Sequence, residues 1–395
     1  MWYGGFLPRL PVNASREVYT FFVPLLKDSI CYNTIFMNEK NILNSILQGD
    51  CIKLLKEIPD NFVDLIFADP PYYMQTEGNL LRTDGTIFSG VNDEWDKFEN
   101  FEHYDKFCYE WLTECRRILK PNGSIWVIGS FQNIYRIGKI MQDIGYWIIN
   151  DVIWAKPNAV PNFAGTRFQN SHETLLWCAK DKKSKYCFNY KTMKHLNSDK
   201  QMKSVWDISI CIGSERIKDE NGNKVHSTQK PEKLLYNIIL SSSKKGDIIL
   251  DPFFGTGTTG AVAKLLSRNY IGIEREIGYI KYAEERIKNV QSEDSYLVSN
   301  TLDVKPPKIS TKQLIDLGFL KDGQLLYDKT HSKSVLLLND GKVLIDNEKL
   351  SIHKASALLL NKANNNGWDF FWCEYNNEFV SINSLRYFAD KKGGL

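Results

Sequence analysis

A chain of 395 residues is too long for one typical domain, and 43% hydrophobic with 25% charged residues is the composition of a globular protein that can bury a sizeable core. A net charge of +3 neither requires nor excludes nucleic acid, so contact with it has to come from local basic clusters. No apolar run approaches the roughly 18–20 residues of a membrane span. None of the eight cysteines forms a C-x-x-C pair, which argues against a zinc site. Pro8 and Pro11 interrupt the stretch where a signal peptide needs an unbroken apolar core. The expectation is a cytoplasmic protein with reduced thiols and no metal.

Residues 1–36 are aromatic-rich without clear periodicity and are expected to be an extension outside the main fold. From Asn44, N-S-I-L-Q-G-D-C reads as a short strand ending at Gly49-Asp50, and 51–58 has helical spacing stopped by Pro59. The apolar run 62–68 (F-V-D-L-I-F-A), bounded by Asn61 and Asp69-Pro70, suits a buried strand. Residues 73–100 are polar and glycine-rich, a loop long enough to be functional or disordered. An amphipathic helix follows over 103–119, then a turn at Pro121-Asn122-Gly123. Strands are expected over 124–130, 147–154 and 172–179, with Trp95 and Trp126 in the core. Residues 180–225 look irregular and basic, with seven lysines from Lys180 to Lys200. Next come a helix over 231–243, a strand feeding a glycine turn over 247–259, a helix over 259–267, a strand over 269–276 and a helix over 277–290. Pro306-Pro307 marks a linker. Residues 311–390 form a separate piece with strand-like runs (S-V-L-L-L, K-V-L-I-D) and a helix near 353–361. Buried strands alternating with helices imply an α/β fold with a parallel, doubly wound sheet, which binds ligands at the carboxyl ends of its strands.

Chemistry concentrates at those ends. Asp69-Pro70-Pro71-Tyr72 directly follows a buried strand. A ring-conjugated amine is a poor nucleophile because its lone pair is delocalised. A carboxylate from Asp69 and a carbonyl held out by the Pro-Pro backbone can accept both amine protons, localise the lone pair and aim it at an electrophile. Tyr72 offers a face on which a base taken out of the duplex can stack. The bland alternative is an ordinary strand-ending turn.

Asp251-Pro252-Phe253-Phe254-Gly255-Thr256-Gly257-Thr258-Thr259 is neither G-x-G-x-x-G nor a phosphate cradle with a lysine. Gly255 and Gly257 let the backbone approach a ligand. Asp251 can hold an ammonium group, and Glu274, about twenty residues on, can bind ribose hydroxyls. This combination fits a nucleoside cofactor without phosphate, such as S-adenosylmethionine. Thr228 and Lys230 in H-S-T-Q-K-P-E precede a helix and could take a carboxylate; most such stretches are merely helix caps. Asp50-Cys51 is a weaker signal, a strand-end acid able to accept from a ring amino group. Arg82, Arg136, Arg167, Lys182, Lys183, Lys185, Lys191 and Lys194 are candidates for phosphate or base contacts, against the alternative of solvated surface charge. The six histidines show no ligand spacing, and His226 reads as a structural hydrogen-bonder.

D-P-P-Y ahead of D-P-F-F-G-T-G-T-T resembles the beta-class amino DNA methyltransferases, whose fold is a circular permutation of the usual Rossmann-like methyltransferase fold. D-E-W-D-K-F (93–98), S-I-W-V-I-G-S-F-Q-N-I-Y-R-I-G (124–138), N-F-A-G-T-R-F-Q-N-S-H-E-T (162–174), E-R-I-K (215–218), S-I-H-K (351–354) and N-N-G-W (365–368) resemble the GANTC-specific adenine enzymes, from about residue 38 to the C-terminus. The resemblance implies that Asp69, Pro70 and Tyr72 serve the target adenine. It implies that Asp50, Cys51, Thr228, Lys230, Asp251, Phe253, Gly255, Gly257, Thr258 and Glu274 serve S-adenosylmethionine. It further implies that Leu80, Leu81 and Arg82 insert near the target, with Arg167, Lys191 and Lys194 on DNA. The implied organisation is an extension (1–36), a first catalytic part (37–156), a target-recognition region (157–225), a cofactor-binding part (226–292), a linker (293–310) and a small α+β DNA-binding domain (311–395). The expected partners are double-stranded DNA, a second copy of the chain and a cognate restriction endonuclease sharing the site. Ser227 stands where many relatives carry proline. The rival readings are an amino-cytosine methyltransferase, a silent DNA-binding subunit of the same fold, and, less favoured, an RNA methyltransferase.

Overall fold

In the computed structural model the described residues are 42–73, 80–81, 87–88, 96–162, 165–293, 295, 297, 298 and 300–391. The expectations for residues 1–36, Arg82 and Trp95 lie outside them, as do the side chains of Leu80 and Leu81.

The strands in chain order are β1 (Ser45–Gln48), β2 (Val63–Ala68), the short pair β3 (Leu80–Leu81) and β4 (Ile87–Phe88), β5 (Leu119–Gly129), β6 (Trp147–Ala155), β7 (His172–Ala179), β8 (Val205–Asp207), β9 (Ile248–Asp251) and β10 (Asn269–Glu274). Eight of them form one sheet, ordered β1-β10-β9-β2-β5-β7-β6-β8. Pairing is parallel from β1 through β5, antiparallel on both sides of β7, and parallel again at β8. The late strands β9 and β10 slot between β1 and β2, as a circular permutation of a doubly wound sheet demands. The order reverses between β9 and β2, and at such a switch point the connecting helices diverge and leave a crevice.

The sheet is buried on both faces because its strands alternate two apolar sets. Leu65, Phe67, Trp126 and Ile128 pack into one core with the helices Glu232–Ser242 and Thr258–Leu265. Ile66, Ala68, Ile125 and Val127 pack into the other, with Tyr104, Cys108, Trp111, Leu112 and Cys115 from the helix Phe101–Ile118. That helix starts where the Asn100 side chain accepts from the His103 N–H at 2.8 Å. The Pro121-Asn122-Gly123 turn lies inside β5: Val63 pairs with Leu119 but Leu65 with Ser124, so the surplus residues form a bulge that preserves both strands. The basic stretch 180–225 is likewise more ordered than its composition suggests, with a helix Tyr190–Leu196 and the strand β8. Its first lysine is structural, since Lys180 Nζ donates to Leu119 O and Asn61 Oδ1.

A second sheet, antiparallel and ordered β14-β13-β12-β11-β15-β16, comprises β11 (Leu325–Asp328), β12 (Ser334–Leu337), β13 (Val343–Ile345), β14 (Glu348–Leu350), β15 (Phe371–Tyr375) and β16 (Glu378–Ser381). It has its own core, which includes Leu326, Leu337, Phe371 and Leu385. Two of its strands (β12 and β13) and one of its helices (Ile352–Leu359) were expected from sequence; the other four strands are three to five residues long. Among the described residues no helix is long and apolar enough to cross a membrane, and seven cysteines are free.

Trp126 tests the core. It is 2% exposed, stacks on Trp177 at 5.1 Å and donates its Nε1 hydrogen to Ser242 Oγ at 3.0 Å. Trp126→Ala is expected to cost about 3–5 kcal/mol in denaturant unfolding. A loss below about 1 kcal/mol would show that this ring does not hold the sheet to its helix layer.

Candidate active site

A cavity of about 710 Å³ opens at the β9/β2 switch point, within the range of a small-molecule site. Asp69 and Tyr72, beyond the end of β2, line it on one side. Asp251, Phe253 and Gly255, at and beyond the end of β9, line it on the other, together with Glu274 at the end of β10. Asp50, Cys51, Pro70, Thr228, Lys230, Thr258 and Arg167 also reach it. Residues spread over more than 200 positions of chain thus share one crevice.

The two halves are built differently. On the β2 side, Asp96 Oδ1 accepts from the N–H groups of Tyr72 (2.6 Å) and Tyr73 (2.7 Å), where Tyr73 has φ +54°. Tyr104 donates its hydroxyl to the Pro71 carbonyl at 2.8 Å. These contacts stiffen the turn and occupy the Pro71 oxygen. Among the described residues no hydrogen bond reaches the Pro70 carbonyl. The Asp69 carboxylate accepts from the Tyr72 hydroxyl at 2.9 Å and forms an ion pair with Lys230. Burial drives the Asp69 carboxyl above the usual range, against the opposing pull of Lys230.

On the β9 side, Asp251 accepts from Phe253 N–H at 2.9 Å and from the Thr259 hydroxyl at 2.5 Å. Burial pushes its carboxyl up to about 7, so a cation placed beside it would be favoured. Glu274 accepts from the N–H groups of Gly255 (2.7 Å), Arg275 (2.8 Å) and Glu276 (2.9 Å), which ties the glycine turn to β10. Gly255 has φ +53° and faces the His226 ring, which a Cβ would approach to 3.4 Å. His226 accepts from Thr228 N–H at 3.1 Å and packs against Tyr279 at 4.7 Å. Burial, with Lys230 and Arg216 nearby, holds it down to about 4, so it is neutral at pH 7. Open space, a glycine approach, a buried acid and a second acid at the next strand end are the features a phosphate-free nucleoside with a cationic end requires.

Several sequence candidates fall elsewhere. Gly257 does not line the cavity; it starts the helix Thr258–Leu265 at φ +76°, and a Cβ there would sit 2.7 Å from the Ala283 Cβ. Asp50 reaches the cavity but also caps the helix Cys51–Glu57, accepting from Lys53 N–H at 3.0 Å. Burial pushes the Cys51 thiol up to about 12, so it stays protonated. Thr258 accepts from Arg286 at 2.8 Å. Lys230, read as a carboxylate binder, instead meets Asp69. Arg136 is held by both oxygens of Asp105. Lys191 and Lys194 are exposed on the half-buried helix Tyr190–Leu196, outside the cavity lining.

Sequence reading missed Lys156, Glu173, Asp96 and Tyr104. Asp96 and Glu173 fall inside the segments D-E-W-D-K-F and N-F-A-G-T-R-F-Q-N-S-H-E-T, but nothing in those segments singled them out.

Among known proteins, the DNA methylase family model matches residues 63–285. The Type II methyltransferase M.HinfI of Haemophilus influenzae is 62% identical over 350 residues, 89% of this chain and 98% of that protein. The Type II methyltransferase M2.LlaDCHI of Lactococcus lactis subsp. cremoris is 46% identical over 246 residues, 62% of this chain and 89% of that protein. Among solved structures, an M1.HpyAVI–SAM complex is 28% identical with a TM-score of 0.46, covering 62% of this chain and 98% of that one.

Proposed function

The chain belongs to the DNA methylase family, and from that premise we propose that it methylates the exocyclic 6-amino group of adenine in double-stranded DNA, at GANTC. One observation carries this reading: Asp69 and the Pro70 carbonyl, which accepts no hydrogen bond among the described residues, lie at the tip of β2 and share a cavity with the Asp251–Glu274 crevice at the tips of β9 and β10.

S-adenosylmethionine, when bound, supplies an electrophilic methyl group. Asp251, Phe253, Gly255 and Glu274 would hold it, with Thr228 and Thr258 at the same wall. On the other side Asp69 and Pro70 accept the two amine hydrogens and draw the lone pair out of ring conjugation. Tyr72 stacks on the extruded base. Asp69 takes the amine proton after bond formation, a role its raised basicity supports. No covalent attachment of base to protein is needed.

The adenine and GANTC assignments draw support from the segments that resemble GANTC-specific enzymes, and from the 62% identity over nearly all of M.HinfI. Residues 157–225 and 311–395 are the places for base readout, and Arg167, from the first of these segments, is among the basic residues that line the cavity. Leu80, Leu81 and Arg82 belong to the loop that would enter the duplex. Lys191 and Lys194 would meet phosphates, making affinity fall with salt. The reading includes a cytoplasmic setting, a homodimer and a cognate endonuclease sharing the site.

The test is to incubate GANTC-containing duplex with labelled S-adenosylmethionine, digest to nucleosides and identify the labelled base. N6-methyladenosine is expected; label in 4-methylcytosine alone would overturn the base assignment.

A further inference from the structure

Beside the D-P-P-Y turn lies a second ion pair that the mechanism above does not use. Glu173 is on β7 and pairs in register with Trp154 of β6. Lys156 follows the last residue of β6, its N–H donating to the Ser171 carbonyl at 2.7 Å, so the hairpin geometry sets the two side chains together. Lys156 Nζ donates to Glu173 Oε1 at 2.9 Å, and the pair is nearly closed to solvent, at 10% and 14% side-chain exposure. The other Glu173 oxygen accepts from the Tyr72 hydroxyl at 3.1 Å.

Tyr72 therefore has one hydrogen and two carboxylate acceptors, Asp69 and Glu173. A phenol hydrogen makes one good bond at a time. When an amine takes up the Asp69 oxygens, that hydrogen needs another acceptor, and Glu173 is the only one placed for it among the described residues. The groups facing Asp69 are Tyr72 from its own turn, Lys230 from the segment before the helix Glu232–Ser242, Glu173 from β7 and Asp251 from β9. A permanent negative charge at Glu173 opposes ionisation of Asp69 and so makes it a stronger base. Burial works against that charge, but Lys230 and Lys156 outweigh it and hold the Glu173 carboxyl below its usual range.

We propose that the Lys156–Glu173 pair is a positioning device for the transfer: it receives the Tyr72 hydroxyl hydrogen when the amine engages Asp69, and its charge keeps Asp69 a strong acceptor. This rests on the reading of Asp69 as the acceptor of the target amine.

The experiment uses the full chain, GANTC duplex and saturating S-adenosylmethionine, with kcat followed against pH and cofactor affinity by calorimetry. Glu173→Gln keeps the shape but removes the charge. It is expected to lower kcat about tenfold, the scale of one buried charge-assisted hydrogen bond, and to move the acid limb to lower pH, with cofactor affinity unchanged. Lys156→Met is expected to lower kcat similarly, and Lys156→Arg to recover most of that loss. An unmoved acid limb in Glu173→Gln overturns the proposal. Should that variant not fold, equal losses in Lys156→Met and Lys156→Arg overturn it, and recovery in the arginine variant supports it. A wild-type chain that transfers no methyl group to DNA overturns the reading of the site as well, whereas an active wild type with a wild-type-like Glu173→Gln overturns this inference alone.

Discussion

Asp69→Ala is expected to lower methyl transfer to duplex DNA by about 10³-fold while S-adenosylmethionine still binds. The size follows from what the carboxylate does. Removing one preorganised group aimed at developing charge costs roughly 10²–10³ in rate, and Asp69 also takes the proton, a further contribution. Binding survives because the cofactor crevice is built from β9, β10 and the glycine turn, whose hydrogen bonds do not pass through Asp69. The variant leaves Lys230 without its carboxylate at 7% side-chain exposure, so some stability is lost too, and a thermal melt has to accompany the rate. Single-turnover transfer of labelled methyl groups and calorimetric titration with cofactor are the two measurements. A rate within tenfold of wild type would end the claim that this carboxylate activates the amine.

The second large effect is expected at Lys230. From sequence this lysine reads as a binder of the cofactor's carboxylate; the structure sets its ammonium on Asp69. The two roles separate by sign. Burial raises the Asp69 carboxyl and Lys230 pulls it back down. Without that positive charge Asp69 holds its proton to higher pH, and a protonated acid cannot accept both the amine hydrogen bond and the departing proton. Lys230→Met should therefore shift the acid limb of kcat upward, with a loss of about tenfold on that limb that shrinks as pH rises. This is opposite in direction to the shift expected for Glu173→Gln, since one substitution removes a positive and the other a negative neighbour of the same carboxylate. An unmoved limb combined with a tenfold weaker cofactor affinity would return Lys230 to the cofactor.

Local pattern alone located most of the sheet. The runs ending at Ala68, Gly129, Asp251 and Glu274 were legible because strands buried on both faces are nearly continuous apolar words bounded by turn residues, and those ending at Gln48, Ala155 and Ala179 as shorter or interrupted apolar runs. The resemblance carried by D-P-P-Y ahead of the glycine turn already implied the permutation. Asp69, Tyr72, Asp251, Gly255 and Glu274 could be chosen on residue chemistry because each directly ends or follows such a strand.

Tertiary structure decided which charges meet. Lys230 is 161 residues from Asp69 and Glu173 is 101 from Tyr72, and no periodicity carries information over such separations. Only the pairing order of the sheet, with β2 between β9 and β5 and with β7 next to β5, brings their side chains to one crevice. The same limit explains Gly257, which looks like a ligand glycine by composition but is required by the 2.7 Å approach of Ala283. It also explains the Pro121-Asn122-Gly123 turn, absorbed as a bulge because the ladder on either side of it is worth more than the local preference. Residue type specified what each strand end could do, and long-range packing assigned the partner that sets its charge.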